Sequence, residues 1–290
     1  MNVLNRDTKM QASASTPGQR VPEQPLVSIV TPTFNSISYL SETLSCIEHQ
    51  SYPRIEHIVV DGGSTDGTLE LLEKYPRIRW ISEADRGMYD AINKGLRLAQ
   101  GSILAYLNSD DLYFPDTVNR VVGFLGIHPE TDLVFSDCRF IDESGNTLFT
   151  RKFPPYRYVL FGILDGSTVA QQTCFWRKRV HDVVGYFDAD LKMAADFEFI
   201  IRVGERCSIR KIRGSPLAQF RFHPEMQTLN RKQINDAEIR LIHDRHPIVA
   251  PWVRGPLRVI AKMRYKASNF HRVKDKSVQL LSGRRPKYRP

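Results

Sequence analysis

Residues 26–35, LVSIVTPTFN, and 55–68, IEHIVVDGGSTDGT, decide the fold. Each is a short β-rich apolar run that ends in a polar, turn-forming loop, and a helical segment follows each. Two further runs at 78–81 and 102–107 repeat the arrangement, with strands expected at 27–31 and 56–60 and helices at 39–49, 68–75 and 88–99. Strands alternating with helices argue for βα units around a mainly parallel central sheet, a Rossmann-like α/β fold. Such sheets bind ligands at loops beyond the C-terminal ends of their strands. The notable polar residues of this chain sit there: Thr31, Thr33 and Asn35 after the first strand, Asp61 to Thr68 after the second, and Asn108, Ser109, Asp110 and Asp111 after the fourth.

Beyond the fourth strand the pattern is less regular. It predicts helices near 115–125, 197–205 and 233–243, and strands near 133–137, 173–176 and 217–222. The expected organisation is a disordered leader over 1–25, a domain over 26–225 and C-terminal helices with a basic tail over 226–290. Within the domain, a regular first half over 26–113 and a less regular second half over 114–225 are expected. No stretch reaches the roughly 18 uninterrupted apolar residues of a membrane span, and the N-terminus lacks the apolar core of a secretory signal. Four cysteines without CxxC spacing fit buried reduced thiols rather than a disulfide framework or a thiolate zinc site. These features point to a cytoplasmic chain.

The formal charge of +9 is a property of the tail. From 251 to 290 there are twelve Lys and Arg against one acid, Asp275, which leaves the first 250 residues at a formal −2. Blocks of one sign usually meet an anionic membrane or nucleic acid.

Several loops carry chemistry. Gly62 and Gly63 let backbone approach a ligand closely, and Asp61 can accept hydrogen bonds from a base or a ribose hydroxyl. The bland alternative is a turn with a helix cap from Ser64, Thr65 or Asp66. Neither GxGxxG nor GxxxxGK[ST] is present, so a nicotinamide site and a P-loop are unsupported. Adjacent Asp110 and Asp111 repel one another unless a cation is near, and Mg²⁺ and Mn²⁺ prefer such oxygen ligands when they bridge a diphosphate.

TPTFN, DGGSTDGT, SEADRGMYDAINKG and YLNSDD, in this order, resemble glycosyltransferase family 2, and the resemblance covers about 26–225. It is strongest toward bacterial enzymes that build O-antigen, capsule or exopolysaccharide. It implies a GT-A fold, a nucleotide-sugar donor, a divalent metal (Mg²⁺ or Mn²⁺) and inversion at the anomeric carbon. On that resemblance Thr31, Thr33, Asn35, Asp61, Asp85, Asn108 and Ser109 would meet the nucleotide, with uridine the first expectation. Asn108 stands where the family usually has an acid, so Asp110 inherits the role of metal ligand, and His223 is a second candidate. Gly62 likewise replaces an acid often found there. Arg86 or Lys94 could offset diphosphate charge, against the alternative of a solvated helix face for Asp90 and Lys94.

Inverting transfer needs a base for the acceptor hydroxyl. Asp196, in Ala195-Asp196-Phe197-Glu198, matches the family's acidic motif. Ala195 replaces the usual Glu, so Glu198 is the alternative base, and a helix N-cap is the bland reading of Asp196. Gln172 is a further sugar or acceptor contact. The absence of a QxxRW element argues for one sugar per encounter. The basic tail suggests a lipid-linked acceptor and peripheral attachment to the anionic inner leaflet through 251–290. Two rival readings are a catalytically inactive sugar-nucleotide-binding protein and a nucleic-acid-binding protein acting through the tail. The latter leaves the acidic loops unexplained, so no nucleic acid is expected.

Overall fold

The computed structural model describes residues 24–226 and 231–268. The expected leader therefore lies almost wholly outside the described residues, as does the tail beyond 268. The first half follows the sequence closely: β1 (Val27–Thr33), α1 (Ile37–Glu48), β2 (Ile55–Asp61), α2 (Thr68–Leu72), β3 (Arg79–Ser82), α3 (Met88–Leu98) and β4 (Ile103–Tyr106). All seven residues of β1 are buried, as a strand covered on both faces requires.

Leu40, Leu44 and Ile47 give α1 its buried stripe at helical spacing. The start of α1 is fixed from outside, because one Asp66 carboxylate accepts the Ile37 amide and, through its other oxygen, the Thr68 amide. A single acid thus satisfies orphan donors at two helix N-termini. Helix α3 lies close on the sheet through Gly95, where a Cβ would come within 2.4 Å of Val30 Cγ1.

The second half supplies β5 (Leu112–Tyr113), α4 (Thr117–Ile127), β6 (Leu133–Phe135), β7 (Cys138–Ile141), β8 (Thr147–Arg151), α5 (Tyr158–Ile163) and β9 (Phe175–Arg177). It continues with α6 (Val180–Val184), α7 (Ala195–Arg206), β10 (Ile209–Lys211), β11 (Ala218–Arg221), α8 (Lys232–Arg245) and α9 (Pro251–Ser268). The main sheet runs β10-β6-β9-β4-β1-β2-β3, parallel except for β9, which is antiparallel to both neighbours. Strands from 114–225 therefore complete the sheet begun by 26–113. A second sheet, β5-β11-β7-β8, sits apart from it.

This second sheet and the β7-β8 hairpin were not expected. Their strands are two to five residues long, and β7 alternates poorly between buried and exposed positions. No helix among the described residues is long and apolar enough to cross a membrane.

Candidate functional site

Strand β1 pairs with β2 on one side and β4 on the other, so the chain reverses its direction of travel across the sheet at β1. The C-terminal ends of β1 and β4 flank that switch point, where open α/β sheets hold ligands. Thr33 through Asn35 and Asn108 through Asp111 line it. Asn35, in a left-handed conformation (φ 48°), joins the loops by donating its amide to Ser64 Oγ and accepting the Thr65 amide. Ser109 Oγ donates to Ser36 Oγ at 3.0 Å.

The loop after β2 is internally complete. Buried Asp61 accepts the Gly63 and Ser64 amides and Ser82 Oγ through Oδ2, and Ser64 Oγ through Oδ1. Asp85 Oδ1 accepts the Gly87 amide, while its Oδ2 would be 2.6 Å from a Cβ on Gly62. Phe34 projects its ring outward, 61% exposed, beside Gly62. Sequence reading quoted Phe34 without giving it a role.

The loop after β4 is different. Thr33 Oγ1, Asn108 Oδ1, Asp111 Oδ2 and His223 Nδ1 are all buried without a hydrogen-bond partner among the described residues. Orphaned buried polar atoms are costly, and several at one site point to a missing ligand. Asp110 Oδ2 lies 2.9 Å from His223 Nε2, so the two expected metal ligands meet. Burial, reinforced by the adjacent Asp110, pushes Asp111 well above the usual carboxylate range.

Arg221, fully buried, fastens this loop to β11. Its amide donates to Asp111 Oδ1, its Nε to the Asp110 carbonyl, and its Nη2 to Glu42 Oε2. The guanidinium also lies 4.8 Å from the Tyr39 ring centre, and Tyr39 in turn packs on His223. Nothing in the sequence gave Arg221 this role, because these partners lie between 110 and 179 positions away.

Among the described residues no group of three or more His, Cys, Asp or Glu is arranged to hold a metal. The donors present nevertheless fit a hard divalent cation that takes its remaining ligands from phosphate and water. Asp110 would supply an oxygen and His223 a nitrogen, with the unpartnered Asp111 oxygen close by.

Asp196 sits at the second position of α7, so it is not the N-cap, which is Ala194. Its Oδ1 accepts the Tyr89 hydroxyl at 3.2 Å and the Phe197 amide. Burial raises its pKa despite those hydrogen bonds, which suits a base that must hold a proton. Glu238 on α8 accepts the amides of Lys192, Met193 and Ala194, and so anchors the turn from which Asp196 projects. Sequence reading missed both Tyr89 and Glu238.

Other expected residues are committed elsewhere. The Thr31 hydroxyl lies 3.0 Å from His57 Nε2, with both residues buried, so it is held within the sheet layer and not offered at the loop. Burial alone lowers His57 to about 3 and keeps it neutral. Glu198 makes a two-pronged ion pair with Arg202, which occupies the alternative base. Lys94 is paired with Glu83, and Arg86, 69% exposed, reaches Asp90. Gln172 lies near Asp111 and counteracts, in part, the effect of burial on that carboxyl.

The mainly parallel sheet flanked by helices, with polar loops gathered at its switch point, is the GT-A fold. The chain belongs to glycosyl transferase family 2, whose model matches residues 28–185. It is 34% identical over 184 residues to a PGL/p-HBAD biosynthesis glycosyltransferase of Mycobacterium bovis, covering 61% of this chain and 69% of that one. It is 35% identical over 196 residues to an uncharacterized glycosyltransferase of Mycobacterium tuberculosis, covering 65% and 72%.

Among solved structures, S. aureus TarS 1-349 in complex with UDP-GlcNAc aligns with TM-score 0.60 at 22% identity, over 75% of this chain and 65% of that one. The mannosyltransferase PcManGT from Pyrobaculum calidifontis, in complex with GDP-Man and Mn2+, gives 0.57 at 22% identity, over 84% and 70%. Against a longer S. aureus TarS structure the match spans 39% of that chain. These likenesses show the fold alone.

Proposed function

We propose that the protein transfers one sugar per encounter from a nucleotide sugar, a UDP-sugar in the first instance, to a hydroxyl of a lipid-linked glycan in surface polysaccharide biosynthesis. Transfer inverts the anomeric carbon and uses Mg²⁺ or Mn²⁺. One observation carries the reading: orphaned polar atoms of Thr33, Asn108, Asp111 and His223 gather beside the Asp110–His223 pair. The donors carried by the solved relatives, UDP-GlcNAc in one and GDP-Man with Mn2+ in the other, support it.

In this reading the base stacks on the exposed Phe34 ring, an arrangement that accepts any base because each has a π-face. Thr33 and Asn108 satisfy their free oxygens on the nucleoside, while Asp61 and Asn35 hold the receiving loops in shape and Asp85 walls the cleft. Asp110 and His223 would hold the cation, which would supply charge neutralisation to the departing diphosphate. Asp196 takes the proton of the acceptor hydroxyl as that oxygen forms its bond to the anomeric carbon and the nucleoside diphosphate leaves with the bonding electron pair. Tyr89 steers the Asp196 carboxylate.

The basic 251–290 segment attracts the protein to an anionic inner leaflet, each Lys or Arg near such a surface contributing about 1 kcal/mol. The test is a panel of nucleotide sugars incubated with an acceptor extract, with and without Mn²⁺, the product anomer being read by NMR. One donor should yield product of inverted configuration in a metal-dependent way. No turnover across the panel, or retained configuration, refutes the proposal.

A further inference from the structure

Helix α9 is oriented contrary to the usual rule for a surface helix. At 100° per residue, Trp252, Val259, Ile260 and Met263 fall on one face, and all four are exposed, Trp252 at 82%. Arg254 and Arg258 lie on the opposite side, where both guanidinium groups reach the Asp165 carboxylate on the loop after α5. The same carboxylate accepts His243 Nε2 of α8 at 3.0 Å. Asp165 has a left-handed backbone (φ 51°), a conformation Asp adopts more readily than most residues. Arg254 and Arg258 are turned toward Asp165 and the apolar row outward.

We infer that this outward apolar face inserts into the headgroup boundary of an anionic lipid surface, with Asp165 as the clamp that sets the helix's roll. Insertion deepens the membrane part of the proposed function and rests on it. Charge complementarity selects the occupant: α9 contains five Lys and Arg and no acid, and the block continues to residue 290 with Asp275 as its one acid. A basic helix with Trp and branched apolar residues on one face is the composition that lies in a membrane interface. Attraction brings the face to the surface, and burial of the apolar row then holds it at salt concentrations that screen charge.

The experiment uses the full chain with vesicles of phosphatidylcholine alone or mixed with phosphatidylglycerol, scored by flotation at low and physiological salt. Brominated acyl chains should quench Trp252, since Trp176 is buried and Trp80 half-buried. Combining Trp252→Ser, Val259→Ser, Ile260→Ser and Met263→Ser should weaken binding to mixed vesicles at least about tenfold at physiological salt. Ile127→Ser, an exposed apolar residue on α4, should leave binding unchanged. Far-UV circular dichroism checks folding, and Ile260→Ser alone, expected to lose a few-fold, serves if the combined variant does not fold.

Wild-type binding that is unaffected by the four substitutions, or that shows no acyl-chain quenching, overturns insertion and leaves the electrostatic attachment standing. Absence of vesicle binding even at low salt overturns the membrane reading itself. A lipid-independent dimer that the substitutions abolish assigns the face to a second copy and overturns the inference.

Discussion

The loops after β2 and β4 are built on one sheet and both end in carboxylates, yet they are in opposite states. Asp61 is buried with every oxygen engaged by its own chain. Asp110 and Asp111 lie side by side, one bonded to His223 and the other keeping an orphaned oxygen and a raised pKa. The first loop is finished by folding, while folding leaves the second with unpaired polar atoms. An acid at a strand end can therefore be either architecture or chemistry, and its hydrogen-bond account tells which.

The largest expected effects break the second loop or its partner base. Asp110→Ala should reduce turnover beyond about a thousandfold and weaken metal-dependent donor binding. Asp196→Asn should reduce kcat about a hundred- to ten-thousandfold with donor affinity unchanged, as isothermal titration would read. Because Asp196 must be ionised to act and its pKa is raised, wild-type kcat should fall with decreasing pH at a point above the ordinary carboxylate range. A pH profile with its acid limb near the model-peptide value would remove Asp196 from the role of base.

Asp61→Asn tests the finished loop. It should cost about 3 kcal/mol of stability in urea melts, because buried donors lose a charged acceptor. A stable variant with a selective loss of donor binding would reverse the comparison. Glu238→Gln should lower kcat about tenfold while donor KM holds, since one carboxylate gathers three amides ahead of α7.

The smallest effect sharpens the contrast most. Asp111→Asn should stabilise the metal-free protein by about 1 kcal/mol at neutral pH. The folded state raises the Asp111 pKa, so wild-type stability drains away as pH rises above the unfolded value, and the Asn variant lacks that loss. The gain should vanish in thermal melts at pH below the ordinary Asp range.

The first half of the domain was legible because β1 to β4 are apolar runs punctuated by Asn, Asp and Gly, and the observed strands begin and end within a residue or two of expectation. Thr31 and Thr33 show where legibility stops. They share strand and type, yet one is taken by His57, a partner 26 positions away, while the other keeps a free oxygen. The second sheet escaped because strands of two to five residues leave too few positions for a period. Asp196 was reached through family resemblance, whereas Glu238 and Arg221 act across distances in the chain that no local pattern encodes. Asp110 and His223 were named through the family resemblance, and their meeting across 113 residues is made by the fold.

Gly62 and Asp85 occupy what is nearly a single volume, since any side chain at 62 would run into the carboxylate at 85. The two positions are therefore sterically coupled. An acid at 62 requires the side chain at 85 to turn aside or shrink, so homologues should swap the negative charge between these two addresses and seldom carry it at both.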